Sequence, residues 1–159
     1  MYSIDTSALM TWWIRRYPCD VFPGIVACME RLVKSGRVLA SEYVLQELGA
    51  KQDPLFDWAK AQGGLFVPTD AAVQQRAAQL IRQFPILIDP TAKRPVQADP
   101  FVIALAAERQ LTVVTSETYA KTKTSGKRKQ RTYIPDVCGA AGIVAIDFLE
   151  MMCREGWKF

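Results

Sequence analysis

Short apolar runs alternate with stretches of helical spacing along the whole chain, and this alternation leaves few folds open. Tyr2 to Asp5, Val38-Leu39-Ala40, Leu65-Phe66-Val67, Thr112 to Ser116 and Gly142 to Ile146 have the length and apolar content of buried strands. Ser7 to Met10 begins a turn or helix directly after the first of them. A helix follows Pro23-Gly24, carries Ile25, Cys28, Met29, Leu32 and Val33 on one face, and stops at Gly36. Ser41 caps the next, with Val44, Leu45 and Leu48 inward. Another runs from Asp53-Pro54 to Ala61 and ends at Gly63-Gly64. Asp70 caps one reaching about Gln83, with Val73, Ala77, Leu80 and Ile81 inward. Three prolines between Phe84 and Gln97 mark a loop containing Asp89. Asp99-Pro100 opens a further helix, and Asp147 caps the last. Strands separated by helices return parallel to one another, so the chain reads as α/β, with a mostly parallel central sheet covered by helices on both faces. At 159 residues without a visible repeat, it is expected to form one domain over residues 1–159.

Composition narrows the chemistry by what it lacks. There is no histidine, which excludes imidazole acid–base catalysis, a Ser-His-Asp triad, a Cys-His dyad and His-based zinc sites. Cys19, Cys28, Cys138 and Cys153 show no metal-ligand spacing and are expected as free thiols. The amino terminus has no signal-peptide pattern, and the longest apolar stretch, Phe101 to Ala107, falls far short of the roughly 20 residues that span a bilayer. A cytoplasmic protein without a membrane partner is the expectation. The formal charge of +4 permits a nucleic-acid partner without arguing for one.

Four carboxylates fall where strands end or helices lie beside them: Asp5, Glu47, Asp99 and Glu117. In a parallel sheet the carboxyl ends of the strands share one edge, where open α/β sheets place their ligands. Acids gathered there repel one another and call for a cation, and oxygen ligands without imidazole point to Mg²⁺ or Mn²⁺. Each acid also has an ordinary role open to it, Asp99 as a helix cap and Glu47 as a solvated helix residue. Asp5 is harder to place that way, because burying it unpaired at the end of a central strand is costly. Thr6, Ser7 and Thr115 supply hydroxyls beside these acids that can orient a carboxylate. No GxxxxGK[ST] or GxGxxG occurs, and Ser7 stands where a haloacid-dehalogenase-type phosphatase needs its second aspartate.

The segments carrying these acids resemble the motifs of PIN domains. Ile4-Asp5-Thr6-Ser7-Ala8-Leu9 is similar to the family's opening, and Ser41 to Leu48 to its second motif, with Glu47 rather than Glu42 as the site residue. Ala98-Asp99-Pro100 and the small-residue helix after it resemble the third, and Val113-Val114-Thr115-Ser116-Glu117 the fourth. The resemblance spans Ser3 to about Phe148. It implies a PIN-like three-layer sandwich and a metal-dependent endoribonuclease, the toxin of a type II toxin–antitoxin pair. In that reading Asp5, Glu47, Asp99 and Glu117 hold Mg²⁺ or Mn²⁺, and hydrolysis of RNA leaves a 5′-phosphate and a 3′-hydroxyl. Glutamate at 117 departs from the aspartate or asparagine usual there, and leaves Asp136 as an alternative fourth acid. The implied partners are RNA, a cognate antitoxin protein and a second copy of the chain. A PIN-like binding module without nuclease activity is the competing reading.

Between residues 121 and 131 the basic residues Lys121, Lys123, Lys127, Arg128, Lys129 and Arg131 occur without an acid, just after Glu117. Such a segment attracts phosphates, and its position suits the guidance of RNA to the acidic edge. Trp12, Trp13 and Tyr17 near Asp5 offer base stacking, but core or interface packing is the reading preferred for them.

Overall fold

In a computed structural model, which describes residues 1–89, 91, 92, 96–126 and 130–159, five strands form one all-parallel sheet. They are β1 (Tyr2–Ile4), β2 (Val38–Ser41), β3 (Phe66–Val67), β4 (Thr112–Val114) and β5 (Ala145–Ile146), in the spatial order β3-β2-β1-β4-β5. The central strand β1 sets Tyr2 opposite both Val38 and Thr112, and Ser3 opposite Leu39 and Val113. The chain first builds outward from β1 through β2 to β3, then crosses to the other side for β4 and β5. The order therefore reverses between β1 and β4.

Eight α-helices are described: α1 (Thr6–Met10), α2 (Pro23–Lys34), α3 (Glu42–Leu48), α4 (Pro54–Ala61), α5 (Ala71–Gln83), α6 (Asp99–Arg109), α7 (Ile134–Ala141) and α8 (Phe148–Arg154). Parallel strands joined through helices take right-handed crossovers, a rule that sends the connections of the two halves to opposite faces of the sheet. Helix α6 lies across β1, β2 and β4 and packs against α5 and α7. Its Val102, Ile103, Ala104, Leu105 and Ala106 are all buried, as expected of a helix between a sheet and its neighbours.

Several boundaries differ from the sequence expectation, each for a local reason. The first strand ends at Ile4, because Asp5 turns the chain into α1 while its N–H still donates to the Val114 carbonyl (2.9 Å). The ladder of β4 ends at Val114, although Thr115 donates to the Ile146 carbonyl (3.0 Å). Gly142 lies outside β5: it adopts φ 69° and terminates α7. The proline-rich loop contains a 3₁₀ turn at Pro85–Leu87.

Helix α1 runs on into a π-helix at Thr11–Arg16, closed by the Tyr17 N–H on the Trp12 carbonyl (3.2 Å). That turn delivers Trp12 to the core, fully buried. Its ring stacks on Phe148 (5.7 Å between centroids, 4° between planes) and meets the edges of Trp13 (5.3 Å) and Trp58 (4.9 Å). Trp13 is half-buried and Ile14 exposed, so the Trp12-Trp13-Ile14 run leads from core to surface. The four cysteines are unpaired. Among the described residues no helix is long and apolar enough to cross a membrane.

Candidate active site

The strand order reverses between β1 and β4, and Asp5 and Glu117 follow the carboxyl ends of those two strands, where open α/β sheets bind their ligands. Asp5 caps α1. Its Oδ2 accepts the Ser7 N–H (3.1 Å), the Ser7 hydroxyl (2.5 Å) and the Thr115 hydroxyl (3.0 Å). Oδ1 takes no hydrogen bond among the described residues. Ser7 joins the two strand ends, since its Oγ also accepts the Ser116 N–H (2.9 Å). With Asp5 only 3% exposed, burial pushes its carboxyl above the ordinary carboxylate range. The charge of Glu47 adds to the rise, while the Ser7 and Thr115 bonds oppose it.

Glu47 is held from two sides. Its Oε2 accepts the Thr6 hydroxyl (2.5 Å), and its Oε1 accepts the Ala98 N–H (3.1 Å). The second bond fastens α3 to the start of α6, whose first residue is the half-buried Asp99. Glu42 does something else: it accepts the Thr69 N–H (2.6 Å) and braces the approach to α5.

Glu117 sits just past β4, with its N–H donating to Thr115 Oγ1 (3.1 Å) and its Oε2 accepting the Ile134 N–H of α7 (2.9 Å). Burial pushes its carboxyl up to about 7, and the charge of Asp5 contributes. The Ile134 N–H and the cations of Lys123 and Arg131 pull the other way. Asp136, the alternative fourth acid, accepts the N–H groups of Tyr133 (3.0 Å) and Ala120 (3.1 and 3.2 Å). It ties the start of α7 to the segment after Glu117.

Asp5, Glu47, Asp99 and Glu117 thus lie along one sheet edge, linked through Thr6, Ala98 and Thr115. Among the described residues no three His, Cys, Asp or Glu side chains close into a metal cage. The donor chemistry nonetheless fits a hard divalent cation. It is all carboxylate oxygen, Asp5 and Glu117 repel each other, and Asp5 Oδ1 is unengaged.

The basic segment borders this edge. Lys121 lies over the Tyr119 ring (5.3 Å) and Lys123 over the Tyr133 ring (4.4 Å). Arg131 pairs with Asp89 Oδ2 (3.0 Å) and so tethers the segment to the proline-rich loop. Lys127, Arg128 and Lys129 lie outside the described residues. Two clefts, of about 280 and about 750 Å³, open side by side and share Glu117, Thr118, Asp147 and Leu149 as a common wall. Arg15 and Arg16 line the smaller one, a placement the sequence reading missed. The only signal was a pair of arginines a few residues after Asp5, hidden by the π-helix, whose period differs from 3.6.

The all-parallel sheet and its helices give the chain a PIN-like α/β fold. The same fold is found in FitAcB from Neisseria gonorrhoeae, at 20% identity over 92% of this chain and 96% of that chain, with a TM-score of 0.50. FitAB bound to an IR36 DNA fragment is 17% identical over 92% and 94% of the two chains, also with a TM-score of 0.50. VapBC2 from Rickettsia felis, bound to a DNA fragment from its promoter, is 14% identical over 92% and 98%, with a TM-score of 0.47. No curated protein matches the sequence. The chain belongs to the family described as a domain of unknown function (DUF4411), whose model matches residues 2–159.

Proposed function

We propose that this protein is a Mg²⁺- or Mn²⁺-dependent endoribonuclease acting as the toxin of a type II toxin–antitoxin pair in the cytoplasm, with a cognate antitoxin and a second copy of itself as partners. One observation carries the reading. Asp5 and Glu117 sit at the switch point of the sheet, and each is destabilised as an anion by burial and by its acidic neighbours. Burying such a cluster works against stability, and a divalent cation relieves it. The shared fold with the FitAcB and FitAB structures supports a toxin of that kind.

Asp5, Glu47, Asp99 and Glu117 would hold the metal, which when bound supplies an activated water and screens the phosphoryl charge. The chain's own groups prepare this. Ser7 and Thr115 hold Oδ2 of Asp5 and leave Oδ1 to a ligand. Thr6 and the Ala98 N–H fix both oxygens of Glu47. Lys123 and Arg131 favour the ionised form of Glu117 and attract phosphate.

The test is cleavage of structured and unstructured RNA by the wild type, D5N and D99N with Mg²⁺, Mn²⁺ or EDTA. Metal-dependent cleavage by the wild type, falling at least 100-fold in both variants, supports the nuclease. No cleavage by the folded, antitoxin-free wild type replaces it with the binding-module reading. Equal cleavage by all three forms points to a contaminant and removes these acids from the site.

A further inference from the structure

We infer that Arg15 and Arg16 form a second phosphate-binding wall, which seats a phosphate of single-stranded RNA in the smaller cleft next to the acidic edge. The inference rests on the reading of that edge as a site for RNA.

The cleft of about 280 Å³ is bounded on one side by Arg15, Arg16 and Tyr17, where the π-helix ends, and on the other by Ser116, Glu117 and Thr118. The π-helix continues directly from α1, whose cap is Asp5, so acid and arginines belong to one continuous helical run. Both arginines are exposed, and among the described residues neither makes an ion pair or a side-chain hydrogen bond. Arg131, whose charge also acts on Glu117, is by contrast already engaged with Asp89. Asp147, the other acid lining the cleft, spends Oδ1 on the Glu150 N–H at the start of α8 (2.7 Å).

The electrostatics require cations on this side. An RNA strand whose scissile phosphate reaches Asp5 and Glu117 has further phosphates on both sides, and the acids repel all of them. Lys123 and Arg131 offer cations close to Glu117. Arg15 and Arg16 supply them in the adjoining cleft, with guanidinium forks that match phosphate oxygens bidentately. At about 280 Å³ the cleft lies at the lower end of the range of ligand pockets and has room for a phosphate with its sugar. Tyr17, half-buried and packed on Phe22 and Phe148, gives that wall a fixed floor.

The decisive measurement is equilibrium binding of a fluorescent single-stranded RNA to the full chain in EDTA, across a series of KCl concentrations. EDTA removes cleavage from the readout. The proteins are the wild type, R15Q/R16Q, and K34Q/R82Q, which removes the same charge at the ends of α2 and α5. Each phosphate contact on a single strand contributes about 0.7 to the slope of log K against log salt, so R15Q/R16Q is expected to flatten it by about 1.4. K34Q/R82Q should keep the wild-type slope. Thermal unfolding checks that the exposed R15Q/R16Q changes leave the fold intact. Equal slopes for a folded R15Q/R16Q and the wild type overturn the inference, as does an equal flattening in K34Q/R82Q. A flattened slope together with a wild type that never cleaves RNA keeps the phosphate wall and removes the nuclease. Cleavage with an unchanged slope does the reverse.

Discussion

At the scale of single residues, Glu117 is the most informative acid, because its carboxyl is pushed up to about 7 by burial and by Asp5. A folded-state value above the ordinary 4.5 means that the native protein binds the proton more tightly than the unfolded chain. The resulting stability is fully present below about 4.5 and is lost as the pH rises through about 7. Asp5 acts in the same direction. The metal-free protein is therefore expected to be less stable at pH 8 than at pH 5, and E117Q to reduce that difference by removing one of the two anions. Denaturant titrations of both proteins in EDTA at the two pH values check this. Manganese should raise the wild-type midpoint at pH 8 and raise that of E117Q less. Equal pH dependence in the two proteins would show that Glu117 does not carry the strain. That Asp5 and Glu117 follow the ends of strands was legible in the sequence, from the apolar runs that precede them. Their fastenings were legible only in part. Thr6, Ser7 and Thr115 stood out as neighbouring hydroxyls, but the Ala98 N–H on Glu47 joins groups 51 residues apart, and no local pattern announces it.

At the scale of elements, the strands and the long amphipathic helices followed from apolar spacing, and their caps from Ser41, Asp53, Asp70 and Asp147, all of which accept the N–H expected of them. Two elements escaped that logic. Helix α7 starts on Ile134-Pro135 and contains Gly139, a composition that reads as a turn until Asp136 is seen holding the Tyr133 N–H. The π-helix escaped because its wider turn departs from the 3.6-residue period against which apolar spacing is read. Its stability must come from what it buries, since π turns are intrinsically rare. Trp12 fills the space among Trp13, Trp58 and Phe148, joining the π-helix to α4 and α8. W12A is expected to cost about 3–5 kcal/mol, the range for deleting a large buried aromatic side chain. W13A, at a half-buried position, should cost clearly less. Urea unfolding of the two variants provides the comparison, and equal losses would mean that the π turn does not depend on Trp12.

For the molecule as a whole, the alternation of strands and helices implied a parallel sheet, but the order β3-β2-β1-β4-β5 was not contained in it, because alternation is silent on which side a crossover returns. The same topology leaves β1 central, so the first strand of the chain is held by elements that form from much later sequence. One seam shows the dependence. The Tyr2 hydroxyl donates to Glu155 Oε1 (2.7 Å), and Arg37 Nη2 donates to the same oxygen (2.7 Å), so β1, the entry to β2 and the end of α8 meet at one carboxylate. Burial, together with the bond to Glu155, raises the Tyr2 phenol from its usual 10 to about 12. A folded value above the unfolded one adds stability that is complete below about pH 10 and disappears as the pH climbs through about 12. Ionised Tyr2 would set two anions against each other where the first and last elements join. Y2F removes the ionisation and keeps the ring, at the cost of the hydrogen bond. Relative to the wild type, Y2F should therefore be less stable near pH 8 and recover the difference as the pH approaches 12. Denaturation midpoints across that range decide the matter: parallel curves would show that Tyr2 titrates freely and that the seam is held by Arg37 and Glu155 alone.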